Sequence, residues 1–274
     1  MTCYRHPGRE AYVRCQRCER VICPECQVEA SVGFLCPECA GGTPTQISAA
    51  RRRAARLASA GARPTVSISL IVINAIVWLL QVLPNSVVTE QLVFSPLAFA
   101  LEPWRAITAG FAHSPDNFLH LALNMYSLYV FGQVLEPMLG KARFLAMYLI
   151  SIIGGSAAVM WLSSMVGYTL GASGAVFGLM GAYFVIARKL GAQGGQLFGL
   201  IAINLAFGFF MPGISWQAHV GGLAAGCLVA LLYVNTRQLN QKTQQLLGLI
   251  GIVALVVGVM YAGLFLRVFP ALGL

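Results

Sequence analysis

Seven long apolar segments constrain this chain more than any other feature of its sequence. They lie near residues 66–83, 118–135, 143–165, 171–187, 196–211, 216–234 and 246–266. Each is about long enough to cross the roughly 30 Å hydrocarbon core of a bilayer as a helix. Charged residues make up only 10% of the chain, whereas a soluble domain carries about 25%. The sequence therefore predicts an all-α polytopic membrane protein and excludes a single soluble globule.

The basic residues predict how these helices are oriented. If the first helix runs outward, the cytosolic side carries eleven basic residues, five in a linker before that helix and six near later helix ends, namely Lys141, Arg143, Arg188, Lys189, Arg237 and Lys242. Arg105 and Arg267 then fall on the outer side. Because Lys and Arg concentrate in cytosolic loops, we expect a multi-pass protein of the plasma membrane with a cytoplasmic N-terminus.

The first 40 residues carry eight potential metal ligands in four pairs of one spacing. The pairs are Cys3 with His6, Cys15 with Cys18, Cys23 with Cys26, and Cys36 with Cys39. Two intervening residues let one tight turn aim both donor atoms at a single ion, and two pairs complete a tetrahedron around zinc. No sustained apolar stretch precedes these residues, so we expect them to stay in the reducing cytosol, where thiols bind metal rather than form disulfides.

Residues 1–40 thus predict a small domain with two structural zinc ions, which resembles a B-box-type zinc finger. Only four residues separate the second pair of ligands from the third. We therefore expect the first pair to join the third and the second to join the fourth, in preference to two sequential sites. A segment this short cannot bury enough apolar surface to fold unaided, so metal binding is expected to fold it.

The composition of residues 41–64 predicts a basic linker. The segment mixes Gly, Pro, Ala and Ser with five arginines, which are Arg51, Arg52, Arg53, Arg56 and Arg63. Anionic lipid headgroups attract such residues by about 1 kcal/mol each. Nucleic-acid binding is the alternative, but the later basic residues sit singly or in pairs between apolar runs and form no basic stripe. We expect the lipid bilayer as a partner, and no nucleic acid.

Four polar side chains stand out because they lie inside apolar segments, where such groups are costly. His120 and Asn124 lie one helical turn apart on one face, Ser173 lies in GASGAVFG, and His219 lies in AHVGGLAAG. In the predicted topology all four lie at one depth, in the first turns of helices that enter from outside. Singly, each is typical of helix packing. Together they supply the nucleophile, general base and anion donors of acyl transfer.

The chain resembles the rhomboid family of intramembrane serine proteases over about residues 66–235. Five motifs in family order carry the resemblance: Trp104 and Arg105 in the first outer loop, His120 and Asn124 as HxxxN, Gly132, Glu136 and Gly140 as GxxxExxxG, Gly171, Ser173 and Gly174 as GxSG, and His219, Gly222 and Gly226 as HxxGxxxG. The resemblance implies a rhomboid-like protease domain over residues 65–267, with a six-helix core and a C-terminal seventh transmembrane helix.

By this resemblance Ser173 is the nucleophile and His219 its base, in a dyad without an acidic third member. His120, Asn124 and the backbone N–H of Ser173 then donate to the oxyanion, and no cofactor takes part in catalysis. Family members often carry a tyrosine that packs on the catalytic imidazole; here Phe177 keeps the ring and lacks the hydroxyl. His113 resembles a structural loop histidine of the family.

The resemblance predicts an intramembrane serine endopeptidase that cleaves transmembrane-helix segments of membrane proteins and opens to the extracytoplasmic side. Segments with Gly, Ala, Ser or Pro unwind cheaply and are the expected substrates. The alternative is a catalytically inactive rhomboid-like protein that binds or chaperones membrane proteins. A transporter would need mid-membrane ionisable residues and a repeated half, which the sequence does not show. We expect the zinc domain to dock a protein partner or to regulate the enzyme.

Overall fold

The computed structural model describes residues 1–29, 33–40, 64–189, 195–211, 213–236 and 241–273. The chain divides into two compact units, Met1–Arg63 and Pro64–Leu274. The predicted basic linker, apart from Pro64, lies outside the described residues, and so does Arg237. Pro64 itself belongs to the second unit, one residue earlier than the predicted start of the membrane domain.

The N-terminal unit contains two small antiparallel hairpins. In the first, β1 (Val13–Arg14) pairs with β2 (Val21–Ile22), and in the second, β3 (Val28–Glu29) pairs with β4 (Phe34–Leu35). Eight described residues of this unit are buried: five are cysteines, and the others are Ala11, Ile22 and Pro37. Because thiols rather than large apolar side chains fill this interior, apolar burial alone contributes little to its stability.

Seven long helices make up most of the described second unit. They are α1 (Thr65–Gln81), α2 (Phe118–Leu139), α3 (Lys141–Leu162), α4 (Ser173–Lys189), α5 (Gly195–Phe210), α6 (Trp216–Asn235) and α7 (Lys242–Gly263). Each coincides with one predicted apolar segment. Helices α2, α3, α6 and the continuous stretch Lys242–Leu272 are long and apolar enough to cross a bilayer, and α1 and α5 are shorter apolar helices. The chain is therefore a polytopic membrane protein whose second unit is all-α in its described residues.

Helix α7 extends further than the predicted domain boundary at residue 267. It continues through a π-helical turn, Leu264–Val268, into a short helix, Phe269–Leu272. The hydropathy pattern weakens at Arg267. The helix continues through this residue, whose guanidinium donates hydrogen bonds to backbone carbonyls at the end of α3.

Small residues let the central helices touch through their backbones. Helix α4 is buried at ten of its 17 residues. A Cβ on Gly222 of α6 would lie 2.0 Å from the backbone oxygen of Gly174, and one on Gly226 would lie 2.1 Å from that of Gly178. This close approach is typical of small-residue packing between membrane helices, and it brings the first turns of α4 and α6 together.

The turn between α2 and α3 is tighter than the apolar segments predict. Hydropathy ends the second segment near residue 135 and begins the third near residue 143, whereas α2 continues to Leu139 and the single residue Gly140, with φ of +85°, separates it from α3. Glu136 stays within the helix because its carboxylate is buried against the start of α1. There it accepts hydrogen bonds from Val66 N at 2.9 Å, Ser67 N at 2.8 Å and Ser67 Oγ at 2.7 Å.

Residues 82–117, here called the outer connection, join α1 to α2 and are structured. They contain the short helices Val88–Leu92, Pro96–Phe99 and Arg105–Thr108 and a 3-10 turn, Ala109–Phe111. Phe94 and Phe99 are buried in a cluster that also contains residues of α3 and α7. The outer connection is thus packed into the helical unit rather than lying free of it.

Candidate active site

Ser173 and His219 lie in direct contact. Ser173 is the first residue of α4, and His219 lies in the first turn of α6, whose N-cap Ser215 accepts a hydrogen bond from Ala218 N. The Nε2 atom of His219 lies 2.8 Å from Ser173 Oγ, within the range of a good hydrogen bond. The structure therefore places a hydroxyl against an imidazole nitrogen that can accept its proton.

The imidazole of His219 is held by packing rather than by a third polar group. Its ring stacks on Phe177, with ring centroids 4.2 Å apart and planes 16° apart. Within the described residues its Nδ1 atom has no hydrogen-bond partner. A Cβ on Gly208 of α5 would lie 3.0 Å from this Nδ1, so α5 covers that edge of the ring. This arrangement fits a two-residue dyad.

His120 lies beside the serine, at the start of α2. Its Nδ1 accepts a hydrogen bond from Ser114 N at 3.4 Å, so a neutral ring carries its proton on Nε2. A Cβ on Gly171, where φ is +123°, would lie 2.8 Å from His120 Nε2 and 3.8 Å from Ser173 Oγ. Glycine therefore leaves open a space between the His120 N–H and the serine hydroxyl, where an oxyanion can be bound.

Asn124 is buried one turn further along α2, and its amide is engaged within the helix. The Nδ2 atom donates to His120 O at 2.9 Å. One of the two amide hydrogens is therefore used in this conformation. Asn124 is itself one of the predicted oxyanion donors, and this hydrogen bond within α2 supports that role less directly than the geometry of His120 does.

Two hydrogen bonds join the side-chain amide of Gln81 to the backbone of His113, a contact that the sequence did not predict. His113 N donates to Gln81 Oε1, and Gln81 Nε2 donates to His113 O, both at 2.9 Å. The His113 ring is fully buried, 5.1 Å from the His120 ring between centroids. Gln81 is a buried amide at the end of an apolar helix, which is a signal that could have identified it.

Trp104 and Arg105, which carry the first motif of the resemblance, lie in the outer connection and differ in role. The indole of Trp104 is exposed. Arg105 donates to Glu90 O and, at 3.1 Å, to Val93 O, and it pairs with Glu102. Arg105 therefore stabilises the fold of the outer connection and does not contact Ser173.

The N-terminal unit brings its eight predicted ligands into two clusters. One contains Cys3, His6, Cys23 and Cys26, and the other contains Cys15, Cys18, Cys36 and Cys39; within each cluster the ligand atoms all lie within 4.8 Å of one another. The first pair of ligands thus joins the third and the second joins the fourth. Either cluster could hold a metal ion.

The donor atoms fit a tetrahedral metal. Ligands at about 2.0–2.3 Å from zinc stand about 3.3–3.8 Å apart. His6 Nδ1 lies 3.4 Å from Cys23 Sγ, 3.3 Å from Cys26 Sγ and, just beyond this range, 3.9 Å from Cys3 Sγ. In the other cluster the sulfur atoms of Cys18 and Cys36 are 3.6 Å apart.

Two thiols of the first cluster differ in pKa, since burial and hydrogen bonds with Cys23 and Cys3 raise the pKa of Cys26 to about 12, whereas Cys3 favours the thiolate. Burial raises the pKa of the Cys3 thiol, but backbone hydrogen bonds, those of Cys23 and Arg5 foremost, outweigh it and lower the pKa to about 6. A thiolate is the form that binds metal.

Comparison with known proteins matches residues 100–236, half of the chain, to the Rhomboid domain. Rhomboid protease GluP of Bacillus subtilis (strain 168) is 33% identical over 213 residues, which cover 74% of this chain and 41% of that protein. A second rhomboid of this bacterium, YdcA, is 33% identical over 178 residues, which cover 62% of this chain and 88% of that protein. The mitochondrial RHOMBOID-like protein 6 of Arabidopsis thaliana is 40% identical over 141 residues, which cover 48% of this chain and 44% of that protein. The chain thus spans less than half of two of these three relatives, and by the match to half of its length it belongs to the rhomboid family.

Proposed function

We propose that this protein is an intramembrane serine endopeptidase that cleaves transmembrane-helix segments of other membrane proteins. The 2.8 Å contact between Ser173 Oγ and His219 Nε2 carries the proposal. All three relatives bear rhomboid names: GluP is named a rhomboid protease, YdcA a putative rhomboid protease and the plant protein a RHOMBOID-like protein. Family membership and the contact between hydroxyl and imidazole support the same chemistry.

In the proposed mechanism Ser173 Oγ attacks the scissile carbonyl carbon while His219 Nε2 takes the hydroxyl proton. The carbonyl oxygen becomes an oxyanion, which the backbone N–H of Ser173, the Nε2–H of His120 and the amide of Asn124 stabilise. One such donor contributes about 3–4 kcal/mol in other hydrolases. The C–N bond then breaks, and the leaving amine receives the proton from His219. Water, deprotonated by the same ring, hydrolyses the acyl-enzyme and restores the serine.

Substrate preference follows from the helical state of the substrate. A membrane helix hides its carbonyls in backbone hydrogen bonds, so the scissile segment has to unwind before Ser173 can reach it. Gly and Pro weaken a helix by about 1 and about 3 kcal/mol relative to Ala. We propose that segments containing such residues are cut in preference to uniform Leu helices.

The test uses purified full-length protein in lipid vesicles with a single-span substrate that contains a Gly–Ser site. Wild type and the control Ser69→Ala, whose hydroxyl bonds only within its own helix to Thr65 O, are expected to cleave it. Ser173→Ala and His219→Ala are expected to be inactive. Cleavage by Ser173→Ala would show that another group is the nucleophile. A folded but inactive wild type, across several lipids and substrates, would favour the non-catalytic alternative, a rhomboid-like binding or chaperone protein.

We also propose that the N-terminal unit binds two structural zinc ions. The donor sets of three sulfurs and one nitrogen, and of four sulfurs, are those that tetrahedral zinc favours. With four protein ligands at each ion, neither site has an open position for catalysis. Metal analysis of the intact chain is expected to give two zinc ions per molecule, one in Cys26→Ser and one in Cys18→Ser. The control Cys227→Ser, far along the chain in α6, is expected to retain two.

The charged residues support a cytoplasmic N-terminus and an active site that opens to the extracytoplasmic side of the plasma membrane. Lys141, Arg188 and Lys189 lie at one end of the long helices, whereas Arg105 lies in the outer connection. A membrane-impermeant maleimide applied to intact cells is expected to label Leu101→Cys and not Lys189→Cys; the reverse pattern would overturn this orientation. Leu101 is 85% exposed, so its labelling does not depend on local unfolding.

A further inference from the structure

Residues 163–172, here called the serine loop, connect α3 to Ser173, and the outer connection holds them at three points. Phe94 and Thr169 exchange two backbone hydrogen bonds, of 3.0 and 2.8 Å, Leu97 N donates to Met165 O at 3.1 Å, and Gly171 N donates to Ala109 O at 2.9 Å. The position of the serine therefore depends on where the outer connection sits.

The outer connection in turn packs against the outer half of α7. The rings of Phe99 and Tyr261 meet edge to face with centroids 5.4 Å apart. Phe94 and Phe99 share one buried cluster with four residues of α7 and its π-helical turn, which are Val256, Met260, Leu264 and Val268. Among the described residues, the larger buried cluster that surrounds Phe177 contains no fully buried residue of α7, and Leu249, Ile252 and Val253 of this helix pack against its edge. The fully buried apolar contacts of α7 are therefore with the outer connection and the end of α3.

Arg267, within the π-helical turn, fixes the other end of the serine loop. Its guanidinium donates to Met160 O and, at 3.1 Å, to Ser163 O. These carbonyls close the C-terminal end of α3, where unpaired backbone oxygens attract a cation. Two further contacts hold α7 against this end of α3: Trp161 Nε1 donates to Val259 O at 2.9 Å, and a Cβ on Gly263 would lie 2.5 Å from Met160 Cγ.

We infer that the outer end of α7 positions the nucleophile and that Arg267 is its principal positioning residue. Arg267 holds the first residue of the serine loop, and the cluster around Tyr261 holds the outer connection to which the rest of that loop is bonded. Helix α7 lies outside residues 100–236, which match the family domain. The contacts that α7 makes with the serine loop and the outer connection therefore come from outside the matched region. The inference rests on the proposed function insofar as Ser173 is the nucleophile.

The experiment compares full-length wild type with Arg267→Ala, Arg267→Lys and the control Leu266→Ala in lipid vesicles. Leu266 is exposed in the same π-helical turn. Leu266→Ala therefore shortens a side chain in this turn, as Arg267→Ala does, without removing a contact with α3. Two readouts are taken: hydrogen–deuterium exchange of the serine-loop amides, and kcat and KM on the single-span substrate. The kcat is normalised to the serine that a fluorophosphonate labels.

In Arg267→Ala we expect the Thr169 and Gly171 amides to exchange about fivefold faster, the change that follows loss of one hydrogen bond's net contribution. Because small misplacements of reacting groups slow a reaction strongly, kcat per labelled serine is expected to fall about tenfold with KM within about twofold of wild type. Arg267→Lys keeps the cation and one donor and is expected to recover part of both losses. Leu266→Ala is expected to match wild type.

Unchanged exchange and unchanged kcat in Arg267→Ala would overturn the inference. So would a loss of activity that disappears when kcat is expressed per labelled serine, because that result describes a residue needed only for folding. If Arg267→Ala does not fold, Arg267→Lys decides the point by the same readouts. An inactive wild type would overturn the proposed function alone, since amide exchange still reports whether Arg267 positions the serine loop.

Discussion

Replacing Gly222 by alanine is expected to separate the two helices that carry Ser173 and His219. The added Cβ would lie 2.0 Å from the backbone oxygen of Gly174 and 2.6 Å from its carbonyl carbon. Such atoms need about 3 Å or more, so α4 and α6 have to move apart by about 1 Å. Because the clashing atoms belong to the backbone, no side-chain rotation relieves the contact.

This displacement acts on the contact between serine and histidine. Gly174 follows Ser173 in the chain, and Gly222 lies three residues after His219, about one helical turn away. A movement of about 1 Å stretches the 2.8 Å contact beyond the usual limit of about 3.2 Å. Misplacement of this size costs about 100-fold in rate, and overpacking costs about 1–3 kcal/mol of stability. We expect kcat/KM of Gly222→Ala to fall about 100-fold while the protein stays folded.

The assay measures kcat/KM on a single-span substrate and the thermal midpoint of unfolding in the same lipid. The matched control is Gly258→Ala in α7, where a Cβ would meet nothing within 4 Å and alanine favours the helix by about 1 kcal/mol. The control is expected to keep wild-type activity with equal or higher stability. Wild-type kcat/KM in Gly222→Ala would refute the reasoning, and so would an equal loss of activity in Gly258→Ala.

Three further predictions follow from individual contacts. Gly171→Ala places a Cβ 2.8 Å from His120 Nε2 at a φ of +123°, so kinetics should show a loss of kcat of about 100-fold, comparable to losing an oxyanion donor. Phe177→Leu removes the ring that stacks on His219 and should lower kcat about 2- to 10-fold, whereas Phe177→Tyr should stay near wild type. Chelation of the intact protein should release the metal of the N-terminal unit and expose residues 1–40 to protease, while the membrane unit keeps its helical circular dichroism; retained protection would show that metal does not fold this unit.

Hydropathy predicted the seven long helices, four of which are long and apolar enough to cross a bilayer, because lipid imposes a strict condition on each segment separately. A helix satisfies its own backbone hydrogen bonds, and its length is set by the bilayer, so no knowledge of its neighbours is needed. The pairs of residues that form the two candidate metal clusters were predictable for a similar reason, since two intervening residues specify a local turn. Hydropathy did not show how a helix end meets a distant partner: the second apolar segment fades near residue 135, whereas α2 continues to Leu139 and α1 donates hydrogen bonds to the carboxylate of Glu136.

The candidate site was predictable as a set of residues and as a dyad of Ser173 with His219, but not in the contacts that hold these residues in place. Ser173, His219 and His120 are identified by being polar in apolar helices, and the structure brings all three together. The contacts that hold them are between segments far apart in sequence, such as Gln81 with His113 or Arg267 with the end of α3. No sequence pattern predicts these pairs, because a backbone carbonyl accepts a hydrogen bond whichever residue it belongs to.

The first N–H groups of α1 and of α4 differ in whether the protein itself supplies them with an anionic acceptor. At the start of α1 the N–H groups of Val66 and Ser67 are occupied permanently by the buried carboxylate of Glu136, and Gly132 makes room for this contact, since a Cβ there would lie 2.2 Å from Ser67 Oγ. Helix α4 begins at Ser173, and the first N–H groups of a helix have no acceptor within it. Its amides are therefore oriented before any substrate arrives, and a reaction that forms an oxyanion there needs no new alignment of dipoles. At α1 the helix N-terminus thus stabilises the fold, because the protein supplies the anion. At α4 the same backbone geometry lowers the activation barrier of the proposed reaction, because the anion exists only during that reaction.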